Sequence, residues 1–132
     1  MSVVVEGLLW IAAVSAGVMA AVYFTFSGFA MRAFAALGDE AGARAMQSIN
    51  RVIVQSTFLP LFFLSTLVCA ALVVLALMGM AGDARLEVLA GGAIYVLGMF
   101  VVTVAGNVPL NNKLDAADPA TMDGRAVWTD YL

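Results

Sequence analysis

Long apolar runs separated by short polar breaks set the pattern of this chain. No charged residue falls between Leu8 and Met31, between Val52 and Gly82, or between Val88 and Asn112. About 20 apolar residues in a helix cross a hydrocarbon core of about 30 Å, so each run is long enough to span a bilayer. The runs lack the polar–apolar alternation of barrel strands. The pattern predicts an all-α transmembrane helical bundle forming a single membrane domain over 1–132, with spans at about 8–31, 52–82 and 88–108. The second run exceeds what a bilayer needs. It starts at the interface, tilts, or kinks at Pro60, where the ring removes a helical hydrogen bond. The first run is read as a retained helix. Its flank from Met1 to Gly7 has no Lys or Arg, and it outlasts the apolar core of a secretion signal.

The polar breaks have structure of their own. Gly38 followed by Asp39 reads as a helix break and an N-cap. From Glu40 onward Arg44, Gln47, Ser48, Arg51 and Gln55 recur at helical spacing, with Ala43, Met46, Val52 and Ile53 largely on other faces. This predicts an amphipathic approach helix over about 40–51, its polar side solvated among lipid headgroups. The connection Asp83–Glu87 is short, so the helices it joins are expected to be antiparallel neighbours. Proline disfavours a helical conformation in the residue before it. The third helix is therefore expected to end at Gly106–Pro109 with Val108 extended. A polar tail, 113–132, carries turn signals at Asp118-Pro119 and Asp123-Gly124. A last helix could start at Ala126, with Trp128 and Tyr131 as interface anchors. Small residues at Ala13, Gly17 and Ala21, continued by Gly28, form a row for close helix packing, either inside the bundle or at a dimer face. Gly91, Gly98 and Ala105 form a second such stripe, with Tyr95 set near it.

Composition sharpens this picture. Of 132 residues, 64% are hydrophobic and 11% charged, against about 25% charged in a soluble domain. A soluble monomer of this size has too much surface to hide so much apolar side chain. The net charge is −3, with no basic block, which argues against nucleic acid as a partner. Histidine is absent and Cys69 is the single cysteine. The common zinc, haem, copper and non-haem iron sites cannot be built from this set, so no metal site is expected. Basic residues divide five to one, with Arg32, Arg44, Arg51, Lys113 and Arg125 on one side and Arg85 on the other. By the positive-inside rule the protein is a multi-pass cell-membrane protein with its N-terminus outside and its first loop and tail cytoplasmic.

Polar side chains near the ends of apolar helices are the candidates for chemistry. One group is Gln47, Asn50, Arg51 and Gln55. The other is Asn107, Asn111 and Asn112 around Pro109. The orientation puts both at the same membrane face. Several carboxamides beside a broken helix end could grip a carbonyl or stabilise an enolate-type oxygen. For the second group simple capping of loose carbonyls is the structural alternative; for the first it is headgroup contact by Arg51 with packing of the amides. Tyr23, with Thr25 and Ser27, lies toward that face and is a ligand donor or an acid–base group, or else an interface anchor or a cap on a neighbouring backbone.

Three segments carry a resemblance. They are Gly17-Val-Met-Ala-Ala-Val-Tyr23-Phe24-Thr-Phe26-Ser27-Gly28-Phe29, Met46-Gln47-Ser48-Ile49-Asn50-Arg51 and Gly106-Asn107-Val108-Pro109-Leu110-Asn111. Together they resemble the anthrone oxygenase-like membrane family, over roughly residues 10–132. The resemblance implies a four-helix bundle. It also implies oxidation of anthrones to anthraquinones by O2 with no cofactor, in an apolar slot with an oxyanion donor and a base. Asn50, Asn107 and Asn111 match the family's polar marks, Tyr23 more loosely, and these four are the candidate catalytic residues. Gln47, Arg51, Gln55 and Tyr95 are the candidate substrate contacts. Family members usually continue past the position of Trp128 into a fourth membrane helix, which here is either absent or truncated. The expected partners are the lipid bilayer, a small aromatic substrate and, if the helix is absent and the bundle open along one side, a second copy or another membrane protein. The alternative function is a non-catalytic membrane subunit or self-assembling bundle.

Overall fold

In the computed structural model, which describes residues 2–132, the first apolar run follows one continuous helical path. Helix α1 (Val3–Thr25) passes through a wider π-helical turn, Phe26–Ala30, into α2 (Met31–Ala36). Side chains take up backbone carbonyls around that turn. Thr25 Oγ1 donates to Ala21 O at 2.8 Å, Ser27 Oγ to Tyr23 O at 2.9 Å, and the Arg32 guanidinium to Gly28 O. Such competition loosens the ordinary helical ladder. Gly38 then breaks the helix with φ of 87°, a left-handed conformation that favours glycine. Helix α3 (Asp39–Ile53) follows. The break is where the sequence puts it, but Gly38 itself holds the cap position and Asp39 is already helical. The first bond of α3 runs from Gly42 N–H to Gly38 O, 2.8 Å.

The second apolar run does not kink at Pro60. A turn at residues 54–57 interrupts it, and α4 (Phe58–Leu77) starts with Pro60 in its first turn. An N–H there would have no helical partner, so proline costs nothing. Beyond a short 3₁₀ turn, Gly82–Ala84, helix α5 (Arg85–Tyr95) leads into π-helical turns at Val96–Val101 and Thr103–Asn107, then α6 (Val108–Ala116). The expected stop at Pro109 does not occur, and Val108 is helical rather than extended. A proline ring collides with the carbonyl four residues back in a regular α-helix. The wider turn over Thr103–Asn107 accommodates it and lets the helix continue. Helix α7 (Met122–Tyr131) begins four residues before Ala126, capped by Thr121, whose Oγ1 accepts the Gly124 N–H at 3.0 Å. Gly124 thus lies in a helix, not a turn. All regular structure among the described residues is helical, and three helical stretches are long and apolar enough to cross a membrane: Val3–Ala36, Phe58–Leu77 and Gly82–Ala116.

The residues pack as two units. One contains α1 up to Ala20 together with Pro60–Thr103. Its core joins Val5 and Ala12 to Val68, Cys69, Leu72 and Ala76 of α4, with Ala81 and Val88. Helices α4 and α5 run antiparallel, as expected: Tyr95 Oη donates to Ser65 Oγ at 2.8 Å, and the Phe62 and Phe100 rings lie 5.5 Å apart. The small-residue rows, however, do not make these contacts. Ala13, Gly17, Ala21, Gly91, Gly98 and Ala105 are all exposed. Gly92 is the residue pressed against α4, where a Cβ would come within 3.1 Å of the Cys69 carbonyl. Spacing reveals a stripe but not the side on which the neighbour lies.

The other unit contains Ala21–Leu59 and Val104–Leu132. Its core is Ala43 and Met46 of α3, Leu114 of α6 and Trp128 of α7, with Phe26, Met31, Phe34, Ile49, Val127 and Tyr131 around it. This unit holds the candidate site.

Candidate functional site

Helices α3, α6 and α7 meet around a set of polar side chains. Asn50 lies on the last turns of α3, Asn111 in the middle of α6 and Tyr131 at the end of α7. The Tyr131 hydroxyl donates to Asn111 Oδ1 at 2.6 Å. The Asn50 carboxamide stands beside the same phenol oxygen, close enough to favour its ionised form. Even so, Asn50 Nδ2 is buried and makes no hydrogen bond. Burial is the larger influence on Tyr131 and raises its pKa; the Asn50 amide lowers it in part. Two carboxamides from separate helices therefore flank one phenol, with an amide N–H left over.

One turn away, Gln47 is 6% exposed. Its Nε2 donates to Leu114 O at 2.7 Å and to Ala117 O at 2.9 Å, carbonyls at the C-terminal end of α6. The amphipathic pattern of α3 places Gln47 on the solvated face with Arg44, Ser48 and Arg51. Those three are not buried, whereas Gln47 points inward beside Ala43 and Met46. A carboxamide satisfies the loose carbonyls of a helix end, which outweighs its preference for water once the apolar neighbours are buried. At the surface Arg51 Nε pairs with Asp115 at 2.6 Å and Lys113 with Asp130 at 3.3 Å. These pairs tie α3 to α6 and α6 to α7. Exposed pairs contribute at most about 1 kcal/mol each.

The structure brings Asn50 and Asn111 together, with Gln47 and Arg51 alongside. Asn107 is half-buried in the π-helical turn one turn before Asn111. Tyr23 is half-buried in the same unit near the end of α1. Gln55 is exposed in the turn beyond α3. Tyr95 belongs to the other unit, where its hydroxyl is bonded to Ser65. Two aromatic residues depart from the sequence expectation. Trp128, expected at the interface, has no exposed surface; its Nε1 also lacks a hydrogen-bond partner, and its ring stacks on Tyr131 at 5.9 Å. Tyr131 completes the amide cluster. The three-residue spacing that puts Trp128 and Tyr131 on one helical face is the signal that could have found them. Among the described residues no three His, Cys, Asp or Glu side chains gather as a metal site would require.

A family model described as anthrone oxygenase matches residues 51–131. The chain belongs to the anthrone oxygenase family. The matched stretch includes Asn107, Asn111, Trp128 and Tyr131, and begins just after Asn50. Searches of curated proteins and of solved structures found no significant match. In this anthrone oxygenase family member the cluster offers one uncommitted donor, the Asn50 amide, beside a phenol whose proton is given to Asn111. A free amide N–H and a phenol flanked by carboxamides, at the edge of an apolar helix pack, suit an oxygen atom that gains negative charge.

Proposed function

We propose that the protein is a membrane oxygenase that converts a flat aromatic ketone of the anthrone type to the quinone, with O2 as oxidant and water as the second product. The observation that carries this is the buried Asn50 Nδ2, a donor with no partner beside the Tyr131–Asn111 pair. Such a ketone loses the proton of its central CH2 to solvent as its oxygen becomes an enolate held by Asn50. The electron-rich carbon reduces O2 and bonds to it, and the peroxide anion so formed takes a proton back from solvent to give a hydroperoxide. Loss of water from that carbon, with the O–O bond breaking, leaves the second carbonyl. The protein's part is to hold the anion, which needs no cofactor. Asn107, one turn from Asn111, and Tyr23 are the further candidates to contact the substrate. The basic residues Arg32, Arg44, Arg51, Lys113 and Arg125 all fall in the unit that carries the cluster, which favours a cytoplasmic site and an external N-terminus.

Oxygen consumption by purified protein with anthrone is the test. Wild type should consume O2 as quinone absorbance rises in equal amount, and Asn50→Leu should lower kcat about 100-fold, the usual cost of one oxyanion donor. Equal rates in the two proteins would refute the assignment. The exposed Gly17, Gly91 and Gly98, with nothing within 4 Å of where a Cβ would lie, favour a second reading, a self-assembling membrane subunit. Crosslinking in native membranes should then give dimers that Gly17→Leu abolishes; monomers alone would exclude it.

A further inference from the structure

We infer that Gln47 is the positioning residue of this site: by clasping the end of α6 it sets the Asn111 carboxamide against Tyr131. The inference rests on the oxygenase reading for its kinetic consequence but not for its geometry. Three observations support it. Gln47 is buried, and one amide nitrogen serves both Leu114 O and Ala117 O, 67 and 70 residues away in the chain. Leu114 lies one helical turn beyond Asn111, and Gln47 one turn before Asn50. The clasp therefore sits one turn from the Asn50–Tyr131–Asn111 cluster on both helices at once. Finally, the clasped carbonyls are those at which α6 ends: Ala117 is extended, with ψ of 145°. Without Gln47, Leu114 O would keep only the Ala117 N–H at 3.2 Å and Ala117 O would turn to water, so the last turn of α6 would loosen. Asn111 would move with it, and the 2.6 Å bond from Tyr131 would lengthen. With its donors so engaged, Gln47 acts on the substrate through Asn111 and not by touching it.

Two substitutions separate positioning from bulk. Gln47→Glu keeps the shape but, ionised, donates nothing. Gln47→Lys loses the shape but keeps a long donor, and a cation at a helix C-terminus is favourable. The first readout needs no substrate: the 13Cζ resonance of Tyr131 in detergent micelles, assigned with Tyr131→Phe. Gln47→Glu should shift it, and Gln47→Lys should restore it to near the wild-type position. The second readout is oxygen consumption with anthrone. Gln47→Glu should lower kcat at least 10-fold with KM within about threefold of wild type, and Gln47→Lys should recover most of the rate. An unmoved Tyr131 resonance in folded Gln47→Glu overturns the inference, whatever the activity. A shifted resonance in Gln47→Glu, with a wild-type protein that consumes no O2 with anthrone, upholds the positioning and refutes the oxygenase reading instead.

Discussion

A buried N–H without a partner costs about 1–3 kcal/mol, so Asn50 Nδ2 is an expensive atom to keep unless something else bonds to it. A ligand carbonyl would do so, more strongly as it acquires charge. Tyr131 supplies the second residue-scale property. Burial raises its pKa above the ordinary value of about 10, and the Asn50 amide offsets this in part. The folded protein therefore holds that proton more tightly than the unfolded chain. The resulting stability is fully present below about pH 10 and is lost as pH rises from there through the folded-state pKa. Chemical unfolding in detergent across pH 8–12 should show a decline on the alkaline side that is shallower in Tyr131→Phe. Parallel wild-type and variant curves would mean that Tyr131 titrates as it does in the unfolded chain. Asn50 and Asn111 stood out in the sequence, but the bond from Tyr131 was not legible there. Asn111 and Tyr131 are far enough apart that only the α6–α7 turn joins them, and an aromatic near an apolar helix suggests a membrane interface before it suggests a bond to a carboxamide.

At the scale of elements, the site depends on how α7 folds back on α6. The turn at Asp118-Pro119 does this, with Asp118 Oδ1 accepting the Ala120 N–H at 3.0 Å and Asp118 O accepting the Thr121 N–H at 3.1 Å. The first turn of α7 packs so closely on it that a Cβ on Gly124 would run into the Asp118 carbonyl. Backbone cannot yield as a flexible side chain can. Gly124→Ala should therefore destabilise the protein by about 1–3 kcal/mol, and it should weaken the Tyr131–Asn111 bond by displacing α7. Thermal unfolding at neutral pH measures the first effect; an unchanged midpoint would show that the turn and helix are not coupled. The turn was legible from Asp118-Pro119, as was the break at Gly38. The continuation through Pro109 was not. It depends on π-helical turns, which redistribute hydrogen bonds without a residue signature as plain as that of proline.

For the whole molecule, the outward side chains show the solvent. Trp10, Phe24, Leu86 and Ile94 are each at least 69% exposed, which water would penalise and hydrocarbon does not. Membrane residence was legible because uncharged apolar runs of this length seldom occur in chains that fold in water. The site was legible only in part. Asn50 and Asn111 stand out by residue type and by resemblance, while the local pattern assigns Gln47 to the wrong face and Trp128 and Tyr131 to the wrong environment. Each of those three depends on a partner that lies beyond its own helix; the three-residue spacing of Trp128 and Tyr131 marks a shared face but not what that face meets. On the proposed chemistry Asn50 holds a donor in reserve for a ketone oxygen. The Asn50 side-chain amide can be followed in 15N-labelled protein in micelles while anthraquinone is added. A saturable downfield shift of the Asn50 Nδ2 protons is expected, absent in spectra of Asn50→Leu. An Asn50 amide that stays in place at saturating quinone would contradict that role.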